Sequence, residues 1–418
     1  MMSYRGKRVT VIGCARSGVA AARLLDRLGA HVFVTEAAQS PAIDEHFKAL
    51  AVFGIKGEKG GHTERALEKA DLAVLSPGVP LDAVPVRWAR SRGIDVISEI
   101  ELAASVCPAP IIAVTGTNGK TTTTTLVGLA VRAWGRQAHI LGNIGSPFSL
   151  CADKIPPDDF VCLEVSSFQL ETIRRFRPRV AVILNLTPDH LDRYPDMEAY
   201  FLAKKRITMN QGPEDWLVLN HADPRLRSLA GATRAPVIFF NEDPPEARGN
   251  ENQLAVLAAA RCLGIPPQTC EEVFAAFKGV EHRMEIVRTL NGIDFINDSK
   301  ATNIEAVVWA LRNVTKPAVL IVGGRDKGSD FGRILGLVRE KAKAAVVVGE
   351  AAARIAAAWQ GVVPLQRAAS FEEAVRAAFL QARDGDCVLL SPMCKSFDMF
   401  TDYEHRGRVF KDLVAQLT

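Results

Sequence analysis

Ile111-Ile112-Ala113-Val114-Thr115-Gly116-Thr117-Asn118-Gly119-Lys120-Thr121-Thr122 runs from an apolar stretch into a glycine-bearing loop and then into Lys-Thr-Thr. Ile111–Val114 reads as a buried strand, and the loop that follows opens a helix. Glycines at 116 and 119 let backbone N–H groups turn inward around phosphate oxygens. Lys120 can reach the terminal phosphates, and the Thr121 hydroxyl suits a Mg²⁺ shared with them. Thr117, Asn118 and Thr122 complete the loop. Valine occupies position 114, where the usual G-x-x-x-x-G-K-[ST] pattern begins with glycine. The strand–loop–helix setting still points to a nucleoside triphosphate.

Outward from this loop, short β-branched runs alternate with longer helical stretches to both ends, the α/β pattern of parallel sheets. Upstream, strands are expected at Lys7–Gly13, His31–Thr35 and Asp71–Ser76, with a helix over Ser17–Leu28. Downstream they are expected at Phe160–Val165, Val180–Asn185, Trp216–Asn220, Asp294–Asn297, Ala318–Val322, Ala344–Val348 and Cys387–Ser391. A chain of 418 residues is too long for one core. The reading is three α/β domains: a Rossmann-like one over 1–97, a P-loop ATPase-type one over 98–280 and a second Rossmann-like one over 281–418. The composition, 48% hydrophobic and 23% charged, is that of a soluble globular protein. A formal charge of +4, without a basic stripe interleaved with aromatics, gives no support to a nucleic-acid partner. No apolar run approaches a membrane span or a signal peptide, and the eight cysteines form no C-x-x-C pair. A cytoplasmic protein with reduced thiols is expected.

A phosphate loop needs groups that hold metal and act on the phosphoryl acceptor. Glu164 ends an apolar strand, where α/β enzymes place metal ligands. His190 follows another strand end in Asn185-Leu186-Thr187-Pro188-Asp189-His190-Leu191-Asp192. Tyr200-Phe201-Leu202-Ala203-Lys204-Lys205-Arg206-Ile207 reads on composition as a solvated basic helix face. Gly13-Cys14-Ala15-Arg16-Ser17-Gly18 is an incomplete dinucleotide fingerprint, fitting a plain turn or a site for a nucleotide other than NAD.

In this order, G-T-N-G-K-T-T, L-E-V-S-S-F-Q-L-E, L-N-L-T-P-D-H-L-D-R and A-K-x-R-I resemble the Mur ligase family, ATP-dependent amide-forming enzymes of peptidoglycan synthesis. The S-S-F-Q-L-E string and Leu390-Ser391-Pro392-Met393-Cys394-Lys395-Ser396-Phe397-Asp398-Met399-Phe400 resemble the branch that adds D-glutamate to UDP-N-acetylmuramoyl-L-alanine. The resemblance implies an acyl-phosphate route, with ATP and two Mg²⁺ ions. It implies that Thr121 and Glu164 hold one ion, that His190 and an N-carbamylated Lys204 attend the other, and that Lys120 serves catalysis. Asn252, Arg283, Asp298 and Lys300 would reach ATP. Thr302, Lys327, Ser396, Phe397 and Tyr403 would hold D-glutamate, although Tyr403 could equally pack. Ala15, Arg16, Ser17, Ser76, Pro77 and Gly78 would hold the uridine diphosphate, Asn143 would contact the substrate's sugar-phosphate end, and Ser166 and His190 would also bind substrate. A monomer is expected.

From local pattern alone, Asn297-Asp298-Ser299-Lys300-Ala301-Thr302-Asn303 could also be a loop that caps a helix through Thr302 or Asn303. Lys395 departs from the family pattern, adding a charge beside the amino-acid pocket. Phe240–Asn252 lacks the family's G-x-H-N segment, through either a shortened connection or an omitted piece of chain. The rivals are a related ligase with another amino-acid substrate and a P-loop protein that uses ATP as a switch.

Overall fold

The computed structural model describes residues 3–190, 193–242, 250–326 and 328–418. Two compact units divide the chain, the first ending at Phe277 and the second starting at Lys278. The first unit contains two sheets and the second contains one.

The first sheet comprises β1 (Arg8–Ile12), β2 (His31–Glu36), β3 (Lys56–Lys59), β4 (Leu72–Leu75) and β5 (Asp95–Ser98) in the order β3-β2-β1-β4-β5, all parallel. The second comprises β6 (Ile111–Thr115), β7 (Ala138–Gly142), β8 (Phe160–Glu164), β9 (Val180–Ile183), β10 (Trp216–Asn220) and β11 (Val237–Phe240). Its order is β11-β10-β9-β6-β8-β7, again all parallel. All five residues of β6 are buried, because helices cover both faces of a doubly wound sheet. Ile112 and Val114 lie at zero exposure, each worth about 1.5–3 kcal/mol of burial. A single apolar core runs from Val9 and Leu24 in the first layer to Ile183 and Leu217 in the second.

The second unit holds β12 (Glu285–Leu290), β13 (Ile293–Asn297), β14 (Ala318–Gly323), β15 (Ala342–Val348), β16 (Leu365–Arg367) and β17 (Cys387–Met393) in the order β12-β13-β17-β14-β15-β16. Here the parallel expectation needs correction. β12 runs antiparallel to β13 through a tight turn at Asn291-Gly292, so the sheet is mixed. Both turn residues have positive φ (52° and 74°), the conformation an Asn-Gly hairpin selects.

Candidate active site

β6 lies between β8 and β9, the point where strand order reverses, and such switch points leave a crevice beyond the strands' carboxyl ends. The loop after β6 fills that crevice. Gly116 and Gly119 adopt φ of 152° and 82°, and a Cβ at either would collide with Leu184 or Asn252 respectively. Asn185 supports the loop: its Oδ1 accepts from the N–H groups of Thr117 (3.1 Å) and Asn118 (2.9 Å). These two amides therefore face Asn185. The helix Lys120–Ala133 starts directly after the loop, so its first turn, Lys120-Thr121-Thr122, presents the positive end of the helix.

The metal-type donors lie on the strand beside it. Pairing of Val114 with Glu164 sets Glu164 level with the loop's entry. Its carboxylate is 1% exposed and accepts from Thr121 Oγ1 at 2.7 Å and from Asn143 Nδ2 at 2.8 Å. Asn143, expected at the sugar-phosphate end, thus bonds to Glu164. Ser166 also has a structural task, capping the helix Ser167–Leu170 reciprocally with Gln169.

Lys204 overturns the solvated-face reading. It is 2% exposed, and its Nζ donates to the Gly116 carbonyl at 2.8 Å. Lys120 Nζ donates to the same oxygen at 3.0 Å and to Thr117 O at 2.7 Å, so two ammonium groups meet at one carbonyl. Burial holds the Lys204 ammonium well below the usual lysine range. The Lys120 charge pushes the same way, while Asp189 and Glu164 oppose it. The helix Met197–Lys205, capped by Asp196, stacks Tyr200 and Lys204 at i and i+4, with the ammonium 4.5 Å from the ring centroid. The Tyr200 hydroxyl meets Thr117 Oγ1 at 3.3 Å.

His190 has a left-handed backbone (φ 58°), its N–H donating to Asp189 Oδ1 at 2.9 Å and its ring meeting Phe168 edge-on at 4.6 Å. Asn252 follows the cap Asn250 and accepts from Thr123 Oγ1 at 3.3 Å, beside the phosphate loop. Sequence reasoning missed Asn185, Asp189 and Tyr200. The first two lie in the same string as His190, and Tyr200 is one helical turn before Lys204.

The carboxyl ends of β1, β2 and β4 form a second convergence. Ala15 is the N-cap of the helix Arg16–Arg27, which begins Arg16-Ser17, and buried Ser76 donates to Gly13 O at 3.1 Å. Half-buried Pro77 and exposed Gly78 follow it. Glu36, also missed, closes the group by accepting from Cys14 N (2.6 Å) and Ala38 N (2.8 Å). Its signal was an acid ending the strand after a glycine turn, the ribose-binding place in dinucleotide folds.

In the second unit, Asp298 is fully buried, with Arg283 at 3.7 Å and Ser391 Oγ donating at 2.9 Å. Burial raises its carboxyl to about 6 from 3.8. Lys300 Nζ lies 5.2 Å from the Tyr403 ring centroid. Asn303, rather than Thr302, caps the helix Ile304–Asn313, with Thr302 half-buried just before it. Backbone bonds between Arg325 and Lys395 (2.8 and 3.1 Å) join the glycine turn after β14 to the segment carrying buried Ser396 and 56%-exposed Phe397. Lys327, and most of the stretch between Phe240 and Asn252, lie outside the described residues.

The Asp298 shift has a testable consequence. A native carboxyl titrating near 6 keeps its proton where the unfolded chain, titrating near 3.8, has lost it, so stability falls as pH rises through that window. Asp298→Asn should therefore stabilise the second unit by about 1–3 kcal/mol above the window, the gain shrinking toward its lower end. Thermal unfolding at both pH values checks this; a less stable variant at neutral pH would mean that Arg283 and Ser391 outweigh burial.

Residues 7–98 match the family model described as Mur ligase MurD-like, N-terminal domain. Residues 114–259 match the Mur ligase middle domain, and 282–394 the Mur ligase, glutamate ligase domain. The chain is 43% identical over 451 residues to UDP-N-acetylmuramoylalanine–D-glutamate ligase of Pelotomaculum thermopropionicum, covering 100% of this chain and 99% of that one. It is 44% identical over 456 residues to the enzyme of the same name from Salinibacter ruber, with 99% and 98% covered. Among solved structures, UDP-N-acetylmuramate-alanine ligase of Thermotoga maritima shares the fold with a TM-score of 0.64 at 18% identity, over 98% of this chain and 99% of that one. Among the described residues, no helix is long and apolar enough to cross a membrane.

Proposed function

This chain belongs to the Mur ligase family, and we propose that it joins D-glutamate to UDP-N-acetylmuramoyl-L-alanine with ATP, in peptidoglycan synthesis. Its full-length relatives at 43–44% identity are named for the two substrates joined. The observation that carries the chemistry is the contact of Thr121 with the buried Glu164 carboxylate, beside a phosphate loop and a buried lysine.

An amide cannot form from a carboxylate and an amine in water without a better leaving group. The alanyl carboxylate attacks the γ-phosphorus of ATP and ADP leaves. The amine of D-glutamate then attacks the acyl carbon, and the tetrahedral adduct expels phosphate as the nitrogen gives up its proton. The donor set fits Mg²⁺: a buried carboxylate and a threonine hydroxyl 2.7 Å apart place hard oxygen donors beside the phosphate loop. Thr121 and Glu164 would hold one ion, and His190 and Lys204 would attend a second. Bound there, Mg²⁺ supplies neutralisation of crowded phosphate and carboxylate charge.

Lys204 supports N-carbamylation. Burial favours its neutral amine, the form whose lone pair bonds to the carbon of CO₂, and loss of a proton then leaves a carboxylate on the side chain. The like-charge contact with Lys120 at Gly116 O becomes an attraction. We assign the uridine diphosphate to Ala15–Ser17 and Ser76–Gly78, and ATP to 116–122 with Asn252, Arg283, Asp298 and Lys300. D-Glutamate falls to Thr302, Lys327, Ser396, Phe397 and Tyr403. The three sheets would then divide the labour as 1–97, 98–280 and 281–418, in a cytoplasmic monomer.

Phosphate release with UDP-N-acetylmuramoyl-L-alanine, comparing D-glutamate with L-glutamate, L-alanine and meso-diaminopimelate, tests the reading. Release requiring D-glutamate supports it, and release with another amino acid overturns the pocket assignment. Gly119→Ala should weaken ATP binding roughly tenfold, since a side chain at φ 82° is strained and meets Asn252. Unchanged nucleotide affinity by calorimetry would count against the loop.

A further inference from the structure

We infer that Arg193 is a positioning residue that fixes the loop Pro77–Val79 against the His190 turn, holding a nucleotide sugar on the first sheet in register with the phosphate loop on the second. The inference rests on the proposed role of Ser76–Gly78. Arg193 closes the L-N-L-T-P-D-H-L-D-R string without having been given a role there, and its guanidinium joins three segments of the first unit. Nη1 donates to Pro77 O at 3.3 Å; Nη2 reaches Val79 O at 3.4 Å and Glu171 Oε2 at 2.5 Å.

The third segment is the turn itself. The guanidinium carbon lies 4.0 Å from the centroid of the Phe168 ring, which meets His190 edge-on. The His190 carbonyl accepts from the N–H groups of Arg193 (2.9 Å) and Tyr194 (3.0 Å), and the Tyr194 hydroxyl donates to Glu171 Oε1 at 2.6 Å. Glu171 thus clamps both residues whose amides hold His190 in its left-handed conformation. The Arg193 and Glu171 side chains are only 16% and 8% exposed, so the charge-assisted bond is shielded from water. A planar fork reaches a carboxylate and two carbonyls while lying on an aromatic face. A lysine ammonium, one nitrogen on a flexible stem, cannot cover that set.

The test compares wild type with Arg193→Lys and Arg193→Met, first by calorimetric titration with UDP alone, then by steady-state kinetics. Both variants should bind UDP about fivefold or more weakly. They should also raise the KM for the nucleotide sugar about tenfold and lower kcat several-fold, with the KM for ATP within about twofold of wild type. Wild-type behaviour of the lysine variant, unchanged UDP affinity, or an equal rise in all KM values would overturn the inference. Were the wild type to show no D-glutamate-dependent phosphate release, the proposed function would fall. The UDP titration would still decide the role of Arg193.

Discussion

Replacing Lys204 with methionine should lower turnover by about a thousandfold or more while leaving the fold at least as stable. The side chain is 2% exposed, and its surroundings depress its pKa from 10.5. In the pH range below both native and unfolded values, the native state carries the full cost of a desolvated ammonium. As pH rises through the native pKa, the native state sheds the proton before the unfolded chain does, so stability rises. Methionine fills similar volume without that cost, so a loss of activity could not be ascribed to unfolding. If the working form is a carbamate, ¹³C-bicarbonate should give wild-type protein a carbamate resonance that Lys204→Met lacks. Activity after exhaustive CO₂ removal should recover on adding bicarbonate. A variant within tenfold of wild type would remove Lys204 from the chemistry, and full activity with no carbamate resonance would remove the modification.

Why burial of Lys204 escaped the sequence is instructive. Ala203-Lys204-Lys205-Arg206 has the composition of a solvated face, and nothing local distinguishes the first lysine from the next. What buries it is the loop after β6, far away in the chain, whose Gly116 carbonyl accepts its hydrogen bond. The strands show the same division. Those readable as apolar runs are all interior, because strands covered on both faces need continuous hydrophobic sequence. The strands left unread, β3, β5, β7, β11, β12 and β16, are the two edges of each sheet. Lys56-Gly57-Glu58-Lys59 has no apolar pattern because an edge is half solvated, and charge there discourages further pairing. The antiparallel β12 was legible in Asn291-Gly292, a hairpin signal masked by the parallel rhythm around it. The phosphate loop and Glu164 were readable because their spacing is local chemistry. Asn143 and Ser166 were placed by resemblance, and their hydrogen bonds are set by neighbours the resemblance does not specify.

Glu164→Gln should cost roughly a hundred- to a thousandfold in turnover and separate metal binding from folding. The carboxylate at 1% exposure accepts from Thr121 Oγ1 on one oxygen and from Asn143 Nδ2 on the other. Burying a carboxylate is costly, so the neutral amide should fold as well as wild type or better without ligand. Glutamine can keep Asn143 as donor to its oxygen and offer its own N–H₂ to the Thr121 hydroxyl, so neither neighbour is orphaned. The difference should appear with Mg²⁺ and a non-hydrolysable ATP analogue. At about a hundred times the wild-type Kd, mass action should stabilise wild type by about 2.7 kcal/mol. The variant, lacking the negative charge that draws the ion, should show little of that shift in thermal unfolding. The analogue without Mg²⁺ should then stabilise both proteins alike. If the variant keeps the full Mg²⁺-dependent shift, the ion is held elsewhere, and the buried carboxylate beside Thr121 serves only to order the loop.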